Sequence, residues 1–429
     1  MLDIKLFREN PKAIKESEKK RGHNLKIVDE VIKYDELWRG VVKKVTKLKH
    51  KRNVVSKEIN KLKKAGKSTT AKIRDIKKVV ANIKALDEKA ERYFRERDKL
   101  RCRVGNILHP SVSIGKDESE NVEIRRWGKP PKFDFEPKSH LEILQNLNLI
   151  DVESATKVSG SAFYYLKGYA VLLDLALQKF TIDFLMKKGF QVFEPPFIIN
   201  KRSYEGMIGD LLDFAEASYK IEGEDLYLIP TAEYPLGSMF IDKTFNKKEL
   251  PLRICGVSAC FRREVGTHGK YSKGLFRVHQ FNKVEQFILC LPEESWKLLE
   301  ELQKNSEELY RKLGLHYRVV LACSADTPAK AAKMYDIEIW MADGKFRESG
   351  SNSNCTDYQT RRLNIKFREK EGSAPIGFVH ALNNTALATS RTIIAILEQF
   401  QQKDGSVKIP KALWPYMNGI KVIKPKKAK

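Results

Sequence analysis

The feature that most constrains the fold is a pair of heptad seams in the first quarter of the chain. Apolar or aromatic residues recur at Val31, Tyr34, Trp38, Val41, Val45, Leu48, Val55, Ile59 and Leu62, in steps of three and four broken only by Arg52. Beyond Gly66, within AGKSTT, a second seam runs through Ile73, Ile76, Val80, Ile83, Leu86, Ala90, Tyr93, Arg97, Leu100, Val104 and Ile107. Such spacing keeps one stripe of a helix turned toward a partner helix. Two helices of similar length joined by a short turn fold back as an antiparallel coiled-coil hairpin. The two successive steps of three from Val80 to Leu86 predict a stammer that overwinds the coil locally. Upstream, Asn10 as N-cap and Pro11 as first residue announce a short helix ending before Gly22.

Charge says what this hairpin meets. Residues 1–110 hold 33 Lys and Arg against 15 Asp and Glu, most of the net +25 of the whole 429-residue chain. A coiled coil in water alternates Glu and Lys for pairing, whereas Lys43 to Lys64 contains one anion, Glu58. Solvated outer positions are the ordinary alternative, but phosphates relieve the self-repulsion, which makes RNA the simplest partner. Six cysteines without CxxC spacing argue against a zinc or disulfide framework and fit a reducing, cytoplasmic compartment. The charged first ten residues are no signal peptide, and no apolar run is long enough to cross a membrane. His109-Pro110 and the acidic SIGKDESENVE mark a boundary, with PPKFDFEPKSH an extended connector. The reading divides the chain into a helical arm, 1–110, and a catalytic domain, 111–429.

Within the second part, FRREVGTHGKYSKGLFRVHQFNKVEQF, Phe261 to Phe287, reads as two strand-like segments around a basic, glycine-bearing loop. With a period of two, Arg262 and Glu264 share a face, as do Arg277, His279, Phe281, Lys283 and Glu285, while Phe276, Val278, Val284 and Ile288 turn to a core. A buried ionic row costs several kcal/mol per unpaired charge unless it meets a ligand of opposite sign. A hairpin with a solvated charged face is the alternative.

The pattern Phe-Arg-x-Glu, a loop, Phe-Arg-Val-His-Gln-Phe and Glu285 resembles motif 2 of class II aminoacyl-tRNA synthetases in its seryl-tRNA synthetase form. Other segments extend the resemblance over nearly the whole chain, from MLDIKLFRENP onward. The helical pattern Phe163 to Lys188 followed by GFQVFEPPF is similar to motif 1, which implies a homodimer interface. YLIPTAE resembles the Thr-x-Glu serine-binding loop, KFRESGSNSNC the Glu-x-x-Ser-x-Ser-Asn-Cys segment, and HALNNTALATSR motif 3. Read without the resemblance, Thr231 caps a helix, Glu285 pairs with Lys283 or an arginine, and 348–354 is a loop. The bacterial-type Asn-Gly-Ser-Gly is absent, and Asn383-Asn384-Thr385-Ala386 is nearer the eukaryotic and archaeal-like cytosolic form, from which a eukaryotic cytosolic-like type is expected.

What the resemblance implies is an α+β fold: an N-terminal antiparallel coiled-coil hairpin, then a class II catalytic domain built on an antiparallel sheet flanked by helices. It implies a serine-tRNA ligase using ATP and Mg2+, with tRNA(Ser), and tRNA(Sec) as a further candidate, as nucleic-acid partner. Serine-binding residues would be Thr231, Ala232, Glu233, Arg262, Glu285, Asn383 and Thr385. ATP would lie on Arg262, Arg263, Glu264, Val278, Phe281, Glu348, Ser349, Gly350, Ser351 and Arg391, with Glu348 and Ser351 as magnesium ligands and Arg262 and Arg391 as catalytic cations. Gly350 stands where many members have Ser. The loop from Gly266 to Gly274, with His268, Lys270 and Lys273, would approach the tRNA acceptor end. A catalytically silent paralogue acting as an RNA-binding or regulatory protein is the alternative function.

Overall fold

The computed structural model describes residues 1–208, 218–264 and 274–425, so of the basic loop only Gly274 is described. The chain forms two compact units, one of Leu2–Val104 and one of Gly105–Lys429 together with Met1.

The first unit holds α1 (Ile4–Glu9), α2 (Pro11–Lys20), α3 (Lys26–Lys64) and α4 (Thr70–Arg101). Asn10 caps α2, its side chain accepting from Ala13 N, and Pro11 fills the first helical position. The long helices pack along the expected seam: Val41, Val45, Ile83 and Ala90 are buried, with Trp38, Leu48, Leu86 and Tyr93 against them. One seam position differs. Val79 packs inward and Val80 is 48 % exposed. From Ile76 through Val79 to Ile83 the steps are therefore three and four, and the two successive steps of three fall one turn earlier, from Ile73 to Val79. The seam also stops sooner than expected, because α4 ends at Arg101 and Val104 and Ile107 lie beyond it. Tertiary bonds take the backbone there: Asn106 N donates to Ala329 O at 2.7 Å and His109 N to Ala332 O at 2.8 Å. At the base of the arm Asp35 is buried between Arg8, 2.7 Å away, and Arg97, 3.1 Å away. Burial alone would raise the Asp35 carboxyl, and the two guanidinium groups outweigh it and hold it below its ordinary range.

The second unit is built on an eight-stranded sheet. In chain order its strands are β1 (Val122–Trp127), β2 (Gln191–Phe193), β3 (Leu252–Phe261), β4 (Gln280–Cys290), β5 (Tyr317–Leu321), β6 (Lys333–Trp340), β7 (Phe346–Asn354) and β8 (His380–Ala388). They lie in the order β1-β5-β6-β7-β8-β4-β3-β2, antiparallel except for the β2–β3 pair, so the sheet is mixed. β1 falls where the sequence reads as a boundary and connector. All six of its residues are exposed, so no apolar alternation marks it.

Helices cover both faces of the sheet. Along β4, Val284, Ile288 and Cys290 enter one core with the helices α5 (Tyr169–Lys187), α6 (Ser295–Leu313) and α7 (Thr389–Gln399). Phe287 and Leu289 point to the other face and enter a second core with Tyr204, Tyr234 and Leu236. The period-two reading thus holds from Phe281 to Ile288. It fails from Phe276 to His279, which precede the strand, so alternation no longer governs where those side chains point.

Candidate active site

On the second face of the sheet lies a cavity of about 580 Å3. Its floor is Phe281, Lys283 and Glu285 of β4, and its walls come from the segment after Pro230, from β7, from β8 and from the start of α7. Of the residues that the sequence nominates for serine, ATP and magnesium, all line it except Ala232, which is fully buried behind Thr231. A Cβ on Gly256 of β3 would come within 2.7 Å of the Ala232 methyl, so glycine there lets the Thr231 segment lie flat on the sheet.

Thr231 stands one residue before the N-cap of the short helix Glu233–Ser238, and its hydroxyl accepts from Glu233 N at 3.2 Å. It also accepts from Lys283 Nζ at 2.7 Å. Lys283 pairs with Glu285 and reaches Thr385 Oγ1 at 3.5 Å. The Lys283 alternative for Glu285 is thus what the structure contains. Burial pushes the Glu285 carboxyl above its ordinary range, and the Lys283 ammonium opposes that shift. Glu233 collects more donors: Lys330 Nζ at 2.6 Å from each oxygen, Gln359 Nε2 at 2.7 Å and Asn383 Nδ2 at 3.2 Å. Lys330 and Gln359 escape sequence reading. Lys330 sits in the irregular segment between β5 and β6, where no periodicity or motif marks it.

Arg262 follows the last residue of β3, held by its backbone N–H to His279 O at 2.9 Å. Its guanidinium lies 5.2 Å from the Phe281 ring centroid and donates to Pro230 O at 3.4 Å. Glu264 does not share a strand face with Arg262, because β3 ends at Phe261 and Glu264 has a left-handed backbone, φ +46°. That turn brings its carboxylate to Arg277, 3.2 Å away, so this cation is paired. His279 leaves the site: Nδ1 meets Tyr219 Oη at 2.9 Å and the ring stacks on Phe163. Phe276 and Val278, expected on the core face, line the cavity.

The Ser/Asn run is strand β7, not a loop. Ile337 opposes Gly350 and Glu338 opposes Glu348, which leaves Ser349 as an extra residue in a bulge. Glu348, Ser349, Gly350 and Ser351 consequently all reach the cavity rim. Ser349 is tied to Tyr310 at 2.8 Å. Across from them, in the first turn of α7, Arg391 pairs with the Glu348 carboxylate at 3.2 Å and lies over Phe276. Burial works to raise the Glu348 carboxyl, but Arg391 prevails and lowers it. Asp336, opposite Ser351 on β6, is buried, and its Oδ1 has no hydrogen-bond partner among the described residues. Gly350 has a packing reason: a Cβ there would meet the Thr385 Cβ at 2.8 Å.

The comparisons with known proteins match this architecture. The family described as seryl-tRNA synthetase N-terminal domain covers residues 1–108, and the tRNA synthetase class II core domain (G, H, P, S and T) covers 218–400. The serine–tRNA ligase of Methanocella arvoryzae is 47 % identical over 426 residues, 99 % of this chain and 100 % of that protein. The crystal structure of Pyrococcus horikoshii seryl-tRNA synthetase complexed with ATP superposes with a TM-score of 0.94 at 46 % identity, covering both chains fully. The cytoplasmic serine–tRNA ligase of Naegleria fowleri in complex with AMP gives 0.88 at 40 % identity, over 100 % of this chain and 99 % of that one. The higher identities are thus to archaeal proteins, which does not support the eukaryotic cytosolic-like subtype. With both domain types matched and the fold shared end to end, the chain belongs to the seryl-tRNA synthetase family of class II.

Proposed function

We propose that the protein activates L-serine with ATP to seryl-adenylate and transfers the seryl group to the 3′ end of tRNA(Ser). The observation that carries this reading is the gathering of Thr231, Glu233, Arg262, Glu285, Glu348, Thr385 and Arg391, scattered over 160 positions of sequence, around one cavity. Glu233 takes the serine ammonium, and Thr231, Glu285, Asn383 and Thr385 surround its hydroxyl. Arg262 joins the serine carboxylate to the α-phosphate of ATP, Phe281 and Val278 hold the adenine with Glu264 and Arg263 beside them, and Arg391 takes the outer phosphates. The serine carboxylate oxygen attacks the α-phosphorus and pyrophosphate leaves. Catalysis here is positioning and neutralisation of developing charge by donors already in place. Serine-dependent ATP–pyrophosphate exchange followed by charging of tRNA(Ser) and tRNA(Sec) tests the reading. Absence of exchange in folded protein leaves the silent RNA-binding paralogue.

The relative complexed with ATP supports the same ligand here. Glu348 and Ser351 offer the all-oxygen donors that suit Mg2+, and the Asp336 oxygen one strand away, without a hydrogen-bond partner among the described residues, fits a cation nearby. Magnesium would neutralise phosphate charge, leaving the residues above to orient serine and ATP.

Residues 1–110 serve as the tRNA-binding arm and 111–429 as the catalytic domain, a division supported by the arm's cationic surplus. A homodimer through the motif 1 region is supported by Val171, Leu175 and Met186 of α5, which are 42 %, 56 % and 58 % exposed. Leu175→Glu is expected to shift the protein toward a monomer in sedimentation; an unchanged dimer places the interface elsewhere. Six free cysteines support the cytoplasm.

Gly350→Ser pushes on Thr385 and is expected to raise the serine KM about tenfold, the order of one displaced hydrogen-bonding group, with ATP KM little changed. A larger effect on ATP moves Gly350 to the nucleotide side.

A further inference from the structure

The site already contains a primary ammonium in the place assigned to the substrate's. Lys330 Nζ sits 2.6 Å from both oxygens of Glu233, a bidentate grip on the carboxylate that the reading above gives to the α-ammonium of serine. Both groups are sequestered: the Lys330 side chain is 13 % exposed and that of Glu233 4 %. Gln359 and Asn383 supply two further neutral donors to the same carboxylate, and they remain whichever cation is bound. Burial disfavours the charged ammonium, and the Glu233 carboxylate more than offsets it, so Lys330 stays a cation.

Two features make this contact exchangeable. The backbone around Lys330 is pinned, since Asn106 Nδ2 donates to Lys330 O at 3.0 Å and Asn106 N to Ala329 O at 2.7 Å. The ammonium, by contrast, ends a four-carbon stem with a freely rotating head. Lys330 also lines the cavity beside Pro328 and Met334, so the head has open space into which it can turn without unfolding its segment.

We propose that Lys330 is a tethered stand-in for the substrate ammonium: it neutralises Glu233 in the empty pocket and is displaced when serine enters. This rests on the assignment of Glu233 to serine. It makes Lys330 a positioning residue that sets serine affinity. A carboxylate buried without any cation is costly; a covalently attached cation keeps Glu233 neutralised before serine binds, and every serine must compete with it. The competition reduces apparent affinity by the fraction of time the latch is open. It also sets a threshold against weaker ligands, because a compound without a primary ammonium cannot replace Lys330 at Glu233.

The test uses the full chain and serine-dependent pyrophosphate exchange. Lys330→Met should lower the serine KM about tenfold, the factor expected if the latch is open a tenth of the time, while the ATP KM stays within about twofold. In Lys330→Ala, propylammonium should inhibit competitively against serine at least about tenfold more strongly than in the wild type, because the vacated place accepts a free ammonium. A structural role produces neither effect. Should both variants fail to fold, wild-type protein with 13Cε-labelled lysine decides: the Lys330 signal should move on adding serine and not on adding ATP alone. An unchanged or raised serine KM in folded Lys330→Met, or a Lys330 signal indifferent to serine, overturns the inference. Glu233→Gln separates this from failure of the underlying reading: if that variant keeps the wild-type serine KM, Glu233 does not hold serine at all.

Discussion

Arg262→Ala should lower serine-dependent pyrophosphate exchange by about three orders of magnitude, the scale seen when one preorganised charge-stabilising donor is lost from an active site. The side chain supports little else. Its contacts are one bond to Pro230 O at 3.4 Å and the face of Phe281, whereas the neighbouring chain is held by the Arg262 backbone bond to His279 O. Stability should therefore change by no more than about 1 kcal/mol, as for exposed substitutions away from buried networks. Exchange and melting temperature measured on one preparation separate the two effects. Near-normal exchange with the fold retained would sink the assignment of Arg262 between serine and the α-phosphate.

Shortening the arm should produce the opposite pattern, with exchange kept and tRNA charging reduced at least about a hundredfold, the order expected when several phosphate contacts are lost at physiological salt. The cut can be placed by the structure. Lys49 faces Asp87 across the two long helices at 3.2 Å, so excising residues 50–86 and closing with a short glycine linker removes Val79, Ile83 and Leu86 but keeps Trp38, Val41, Val45, Ala90 and Tyr93 of the lower seam. Twelve Lys and Arg leave with that segment, against only Glu58 and Asp75. Charging by the shortened protein at the wild-type rate would mean that the basic tip does not grip the tRNA. Raising salt should weaken charging by the intact protein much more than exchange, since phosphate contacts release counterions and the enclosed serine site does not.

How much of this was legible in advance differs from element to element. The arm was readable because a heptad repeat is a local signal repeated many times. Even so, Val79 and Val80 are equally apolar, and only packing against α3 selects between them. The end of α4 was not legible, since bonds from Asn106 and His109 to residues more than two hundred positions away compete with helix continuation. β1 was hidden by its own exposure at the sheet edge. In the site, Glu348, Ser351, Thr385 and Arg391 were legible through their motifs, but that Ser349 occupies a bulge follows from pairing with β6, which β7 alone does not encode.

The sequence by itself determined which kinds of side chain the site contains and that a basic coiled-coil arm precedes it, because strand and helix periods and motif order are properties of neighbouring residues. Only the tertiary structure decided how the charges are paired. Glu264 meets Arg277 because the chain turns left-handed after β3, and Glu233 meets Lys330 from an irregular segment 97 residues away, whereas the Glu285–Lys283 pair on one strand face was already offered by the period of two. Pairing of buried charges is set by distance and desolvation across the fold, which no local pattern records.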